Sequence, residues 1–288
     1  MSERYQEGRF ISSKGADLFY RDFGPIEGAT TVPLLCLHGF LRSSRDFSEL
    51  GRVLSAQGIR VIVPDLRGRG LSATFASAAD YHYDLIKQDV WDLLDHLSID
   101  KVAVLGIALG ALLAMDMAVE NPARIKGVVL NDQGTEINQS ASNKMSGNFD
   151  THAYSFEEAV SRMQLHFGDT YPGLTHERWQ DLTLRAYREI EPGKFARDVD
   201  PLSLADVPRL KAERPDNWPQ FRATRDVPTA ILRGELSEYF AADCAERMLD
   251  SHPNATLTTV KGRGHPPLMD EPEALAAIKA LLERASSR

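Results

Sequence analysis

Only two cysteines, Cys36 and Cys244, occur in 288 residues, and no zinc-type Cys/His spacing accompanies them. A disulfide framework or a structural metal site is therefore not expected. Cys36 falls within the apolar run Val32 to Leu37, where a thiol serves as a small buried hydrophobe. Basic residues are the minority, 33 Lys and Arg against 41 Asp and Glu, for a net charge of −8. No long-range field draws in a polyanion, so nucleic acid is not an expected partner. Long apolar runs are also missing. The longest uncharged one, Val102 to Met115, stops at Asp116, short of the roughly 18 residues a membrane span requires. The opening MSERYQEGRF has no apolar stretch behind its first charges, so no secretory signal is expected and the cytoplasm is the expected location. Internal repeats and low-complexity tracts are absent.

What is present suits a folded domain. A hydrophobic fraction of 43% with 26% charged residues supports a sizeable core and excludes disorder, and 288 residues accommodate one large domain with an insertion. Two short strands between Arg9 and Tyr20, around the Ser12-Ser13-Lys14-Gly15 turn, predict a hairpin. Compact apolar runs then alternate with amphipathic segments. Strands are expected at Val32 to Leu37, Val61 to Pro64, Val102 to Leu105 and Val128 to Leu130; helices are expected near Arg45 to Ala56, Leu85 to Leu97 and Leu109 to Val119. This order implies a mainly parallel central sheet with helices on both faces, an α/β fold whose ligand site lies at the carboxyl ends of the strands. From about Gln133 to Asp226 the rhythm breaks into polar, proline-punctuated helical pieces, read as an inserted helical cap spanning 134–226. Alternation resumes at Thr229 to Arg233, Ala241 to Leu249, Thr256 to Val260 and Glu271 to Ala285, so the core is expected to comprise 1–133 and 227–288.

The sharpest local signal is Gly106-Ile107-Ala108-Leu109-Gly110, where a strand runs into a helix. It has the spacing of the nucleophile elbow G-x-S-x-G, whose glycines permit a strained turn that lifts the central side chain out of the sheet. The alternative is that small residues merely let helix and sheet pack closely. Context favours the elbow: His38-Gly39-Phe40 ends an earlier strand, Asp65 to Gly70 forms a glycine-rich turn after the next, and Gly264-His265-Pro266 follows the last. A backbone N–H at Phe40 and another at Leu109 would form an oxyanion hole.

With these features in this order, the chain resembles the α/β-hydrolase family over nearly its whole length. The resemblance implies a nucleophile at position 108, His265 as general base and a carboxylate that orients it. Two carboxylates compete for that last role, Glu238 just past the strand Thr229 to Arg233 and Asp132 at the end of the preceding strand, with Glu238 preferred. His38, Gly39, Trp179 and Trp218 are candidate substrate-binding residues. Arg42, Arg45, Arg67 and Arg69 either bind an acidic substrate group or are paired structurally. No metal or organic cofactor is implied, and the expected partner is a small-molecule substrate.

Ala108 departs from the family pattern, because a methyl group can neither attack a carbonyl nor hold an acyl intermediate. The implied parent activity is hydrolysis of a carboxylic ester or lactone, with carbon–carbon bond hydrolysis as a neighbour. The present chain then reads as an inactivated nucleophile-to-alanine form that still binds substrate, since both elbow glycines, a base and an acid surround one missing atom. The alternative is a natural serine-less relative, serving as a ligand sensor or running histidine-dependent, cofactor-free lyase or oxygenase chemistry.

Overall fold

The computed structural model describes residues 5–25, 28–147 and 149–287. β1 (Tyr5–Ile11) and β2 (Asp17–Phe23) form the expected antiparallel hairpin, in register from Tyr5↔Phe23 to Ile11↔Asp17. Alternation follows through β3 (Leu34–Leu37), α1 (Ser48–Ser55), β4 (Val61–Pro64), α2 (Tyr83–His96), β5 (Val102–Ile107), α3 (Leu109–Glu120) and β6 (Ile125–Asn131). The chain then leaves the sheet for α4 (Gln139–Gly147), α5 (Phe156–Phe167), α6 (His176–Ala186), β7 (Tyr187–Glu191), β8 (Lys194–Arg197), α7 (Val207–Glu213) and α8 (Trp218–Ala223). It returns through β9 (Thr229–Gly234), α9 (Ala242–Ser251), β10 (Ala255–Val260) and α10 (Pro272–Ser286).

Eight strands make one sheet in the order β1-β2-β4-β3-β5-β6-β9-β10. Only β1 with β2 and β2 with β4 are antiparallel; the other pairs are parallel. The unbroken apolar runs of the central strands follow from burial on both faces, since side chains alternate between them. In β5, Val102 and Val104 pack into one layer while Ala103, Leu105 and Ile107 pack into the other. In β3, Leu35 and Leu37 divide from Leu34 and Cys36 in the same way. Each fully buried valine, leucine or isoleucine here is worth roughly 1.5–3 kcal/mol. Helix α3 is buried almost all round because it lies between the sheet and α8, and this explains its near-uniform apolar sequence.

The segment between β6 and β9 has its own apolar cluster, built from α5, α6 and their surroundings, with Val160, Met163, Trp179, Leu182 and Tyr187 among its members. Ser155 and Glu158 start α5 with a reciprocal capping box. The expectation of purely helical pieces here is corrected by β7 and β8, a hairpin whose Pro192-Gly193 turn places glycine at φ 75°. Pro-Gly supplies the fixed φ and then the positive φ that such a turn requires. Both cysteines are buried free thiols. Among the described residues, no helix is long and apolar enough to cross a membrane.

Candidate active site

β5 passes into α3 through Ala108, which sits at φ 47° and ψ −108°. A residue with a Cβ rarely adopts this conformation, at a cost of about 1–3 kcal/mol, so surrounding packing must impose it. The flanking glycines show how. A Cβ on Gly106 would lie 2.2 Å from the Gly110 carbonyl group, and one on Gly110 would lie 2.0 Å from the Leu37 carbonyl oxygen. Helix start and strand end therefore touch backbone to backbone, and residue 108 is pushed outward into a cavity. Gly110→Ala is expected to destabilise the fold by about 1–3 kcal/mol through this overlap, read as a lower urea midpoint; an unchanged midpoint would contradict the close approach.

Two backbone donors lie beside Ala108. Neither the Phe40 nor the Leu109 N–H donates to a protein acceptor among the described residues. Leu109 opens α3, where the first N–H groups have no intrahelical partner. The Phe40 N–H is aimed by His38. The His38 Nε2 accepts the Leu66 N–H at 3.0 Å, so Nδ1 carries the proton and donates to the Gly39 carbonyl at 2.8 Å. In a trans peptide C=O and N–H point oppositely, so fixing the Gly39 carbonyl turns the Phe40 N–H away from His38. Arg69 adds a hydrogen bond to the Phe40 carbonyl at 3.2 Å.

His38 is thus corrected from a substrate contact to a positioning residue: it is fully buried with both ring nitrogens occupied by backbone. Burial lowers its pKa from 6.5 to about 4. Between those values the unfolded chain binds a proton that the folded chain does not, so stability falls as pH drops from 6.5 towards 4. This one group accounts for up to about 3 kcal/mol of that loss. Urea unfolding from pH 7 to 4 should show a slope that His38→Gln reduces by about one proton; equal slopes in both proteins would contradict the assignment.

His265 Nδ1 lies 2.8 Å from Asp132 Oδ2. Oδ1 of that carboxylate accepts the Gly234 N–H at 2.7 Å, and Oδ2 also accepts the Ser237 hydroxyl at 2.5 Å. Because a carboxylate only accepts, Nδ1 of His265 is the donor, which leaves Nε2 as the free acceptor. Nε2 has no protein partner among the described residues, and His265 lines the same cavity as Ala108. Tyr239 lies against the imidazole with ring centroids 4.0 Å apart, and Tyr171 donates to the Pro266 carbonyl at 2.9 Å, steadying the loop. The preference for Glu238 is corrected: its side chain is 76% exposed and its charge faces Lys144 at 3.9 Å, whereas Asp132 is fully buried against His265.

The cavity encloses about 580 Å³ between the carboxyl ends of the strands and the segment joining β6 to β9. Gly39, Phe40, Ile107, Ala108 and His265 form its floor; Phe149, Met163, Phe167, Leu182 and Leu210 are among its mainly apolar walls. Gly39 faces Ala108 closely enough that an added Cβ would lie 3.7 Å from the alanine methyl. Neither tryptophan lines this space. Trp179 is buried in the cluster around α5 and α6. Trp218 instead donates to Glu136 at 2.6 Å, with Arg222 and Arg247 over its ring.

The four arginines singled out from the sequence are all engaged by the protein. Arg42 pairs with Asp46, Arg45 with Asp198, and Arg67 with Asp89, while Arg69 donates to the carbonyls of Phe40, Arg67 and Ser203. Sequence reasoning missed the residues that frame His265, namely Ser237, Tyr239 and Tyr171, and missed Arg197, which reaches the cavity from the end of β8. The signal for Arg197 was available in the Pro192-Gly193 turn between two short alternating runs. Among the described residues, no group of three or more His, Cys, Asp or Glu side chains is placed to hold a metal ion.

Residues 32–272 match the family model described as the alpha/beta hydrolase fold. A crystal structure of an alpha/beta hydrolase from Novosphingobium aromaticivorans is 34% identical, covers 99% of this chain and 100% of its own, and superposes with a TM-score of 0.88. Among curated proteins, a 3-hydroxybutyrate-oligomer hydrolase of Cupriavidus necator is 24% identical over 89% of each chain. Haloalkane dehalogenase 2 of Mycobacterium bovis is 26% identical over 96% of this chain and 94% of its own. Strand order, elbow and family match agree, and the chain belongs to the α/β-hydrolase-fold family.

Proposed function

We propose that the cavity over Ala108 is the acyl-transfer site of a carboxylic ester or lactone hydrolase from which the nucleophile alone is missing, so that the chain binds such substrates without turning them over. The observation that carries this reading is a strained elbow at Ala108, with Phe40 and His265 lining the same cavity, the unengaged N–H groups of Phe40 and of Leu109 directly after the elbow, and a free histidine nitrogen backed by Asp132. In this role the Phe40 and Leu109 N–H groups hold the carbonyl oxygen as it gains charge. His265 Nε2 takes the proton of an attacking hydroxyl, Asp132 stabilises the resulting imidazolium, and the helices between β6 and β9 act as the cap that excludes water. The predominantly apolar walls suit an aliphatic or aromatic body, and the volume suits a small molecule.

The name of the Cupriavidus relative makes oligomers of a hydroxy acid a natural first substrate class to try. Calorimetric titration of the chain with butyrate esters, lactones and 3-hydroxybutyrate oligomers, with product analysis, tests the reading. Saturable binding of at least one class without product release is the expected result; failure to bind any of them, or turnover by the unsubstituted chain, would contradict it. Turnover that His265→Ala abolishes would instead indicate histidine-dependent chemistry independent of residue 108.

A further inference from the structure

Charged side chains in the cavity wall are nearly all neutralised by the protein. Arg42 is held by Asp46, Arg185 by Asp181 and Arg214 by Asp116. Arg197 is different. Its guanidinium stacks on Tyr187, 4.6 Å from the ring centroid, and has neither an ion pair nor a hydrogen bond among the described residues. Its flanking backbone is fixed by pairing with Tyr187 across the hairpin, so the side chain is presented from a rigid strand end. Burial draws its pKa below the usual arginine value; the cations of Arg42 and Arg162 act in the same direction, while Tyr187 and the Asp150 carboxylate partly oppose it. Arg162 itself is paired with Asp150. Arg197 is half-buried, so the wall around it carries an excess positive charge in mainly apolar, partly solvated surroundings, where an approaching anion meets less competition from water than on an open surface.

We infer that Arg197 is the anion-binding subsite of this cavity and that the ligand is an ester or lactone carrying one free carboxylate besides its reacting carbonyl. The inference rests on the proposed acyl-transfer site for the second half of that description only. A planar guanidinium with open donors matches a carboxylate through two parallel hydrogen bonds. Arg197 offers one positive charge with open donors, whereas Lys211, the other cavity cation without a carboxylate partner, donates to the Ser142 hydroxyl at 3.1 Å; a single guanidinium of this kind favours a carboxylate over a doubly charged phosphate. Tyr187 keeps the guanidinium plane in place, so little side-chain freedom is lost on binding.

The test compares monoethyl glutarate with ethyl hexanoate, which replaces the carboxylate by a neutral chain end, as calorimetric ligands of the full-length chain. The anionic ester is expected to bind about tenfold or more tightly than the neutral one. Arg197→Gln should remove that preference and leave ethyl hexanoate within about twofold, while Lys211→Gln, which alters the other cavity cation lacking a carboxylate partner, should retain it. Circular dichroism melting establishes that each variant is folded; if Arg197→Gln does not fold, Arg197→Met serves in its place. Equal affinities for the two esters, no binding of the anionic one, or a preference that vanishes with Lys211→Gln instead would overturn the proposal. Glutarate dianion alone separates this idea from the acyl-transfer reading. If it binds in an Arg197-dependent manner while esters are never hydrolysed by a serine-restored chain, the subsite stands without the chemistry. If esters are hydrolysed with no dependence on Arg197, the chemistry stands without the subsite.

Discussion

Ala108→Ser is expected to create an esterase. With 4-nitrophenyl butyrate, turnover should rise by about a thousandfold or more over the unsubstituted chain, bounded by the roughly 10⁶ that removal of the nucleophile costs a serine hydrolase. The elbow already holds residue 108 at a positive φ that lifts its side chain towards the cavity, so the new hydroxyl need not reorganise the backbone. His265 Nε2 is free to accept its proton, because Nδ1 is committed to Asp132. The serine oxygen would bond to the carbonyl carbon while the carbonyl oxygen takes up charge between the Phe40 and Leu109 N–H groups. Return of the proton from His265 would release the alcohol and leave an acyl-enzyme for water to cleave. A burst of 4-nitrophenol before steady state is the accompanying kinetic signature. Adding His265→Ala should return the rate to near that of the starting chain. A folded Ala108→Ser protein with no gain in rate would leave the cavity a binding site only.

The second large effect concerns the acid. In the Ala108→Ser background, Asp132→Asn should lower kcat by about 10⁴, the size of effect expected when an amide replaces the carboxylate that sets the histidine tautomer. Glu238→Gln should stay within about twofold of the parent, since the Glu238 side chain is exposed and its one ion pair among the described residues is with Lys144. Asp132→Ala should also destabilise the fold, because it strands the Gly234 N–H and the Ser237 hydroxyl without their acceptor in a buried place. Steady-state kinetics and urea unfolding of the three variants check these outcomes. A large loss with Glu238→Gln and none with Asp132→Asn would reverse the assignment.

This exchange of acids shows where sequence reading stops. The strands β3, β4, β5, β6 and β9 were legible because burial on both faces produces short, unbroken apolar runs, and the elbow was legible because Gly106 and Gly110 have a packing reason to lack side chains. His265 stood out by its place after the last strand. The choice between Asp132 and Glu238 depends on how the loop after β9 turns. That loop sends Ser237 inward onto Asp132 and Glu238 outward, a distinction that neighbouring positions in a sequence do not carry. Arg67 and Asp89 are 22 residues apart and Arg45 and Asp198 are 153 apart, so their neutralisation, and the isolation of Arg197, emerge only after folding. The tryptophans failed as pocket markers for a related reason: a large aromatic is as useful to the core of the inserted segment as to a ligand.

Peptide mapping after exposure of the Ala108→Ser protein to an activated alkyl phosphonate ester tests the site most directly, because the reagent reacts far faster with a hydroxyl activated and flanked as described than with other side chains. A single adduct at position 108 is expected, with none on the unsubstituted chain and loss of the adduct when His265→Ala is added. A folded variant that remains unlabelled there, or that is labelled equally well without His265, would contradict the proposed site.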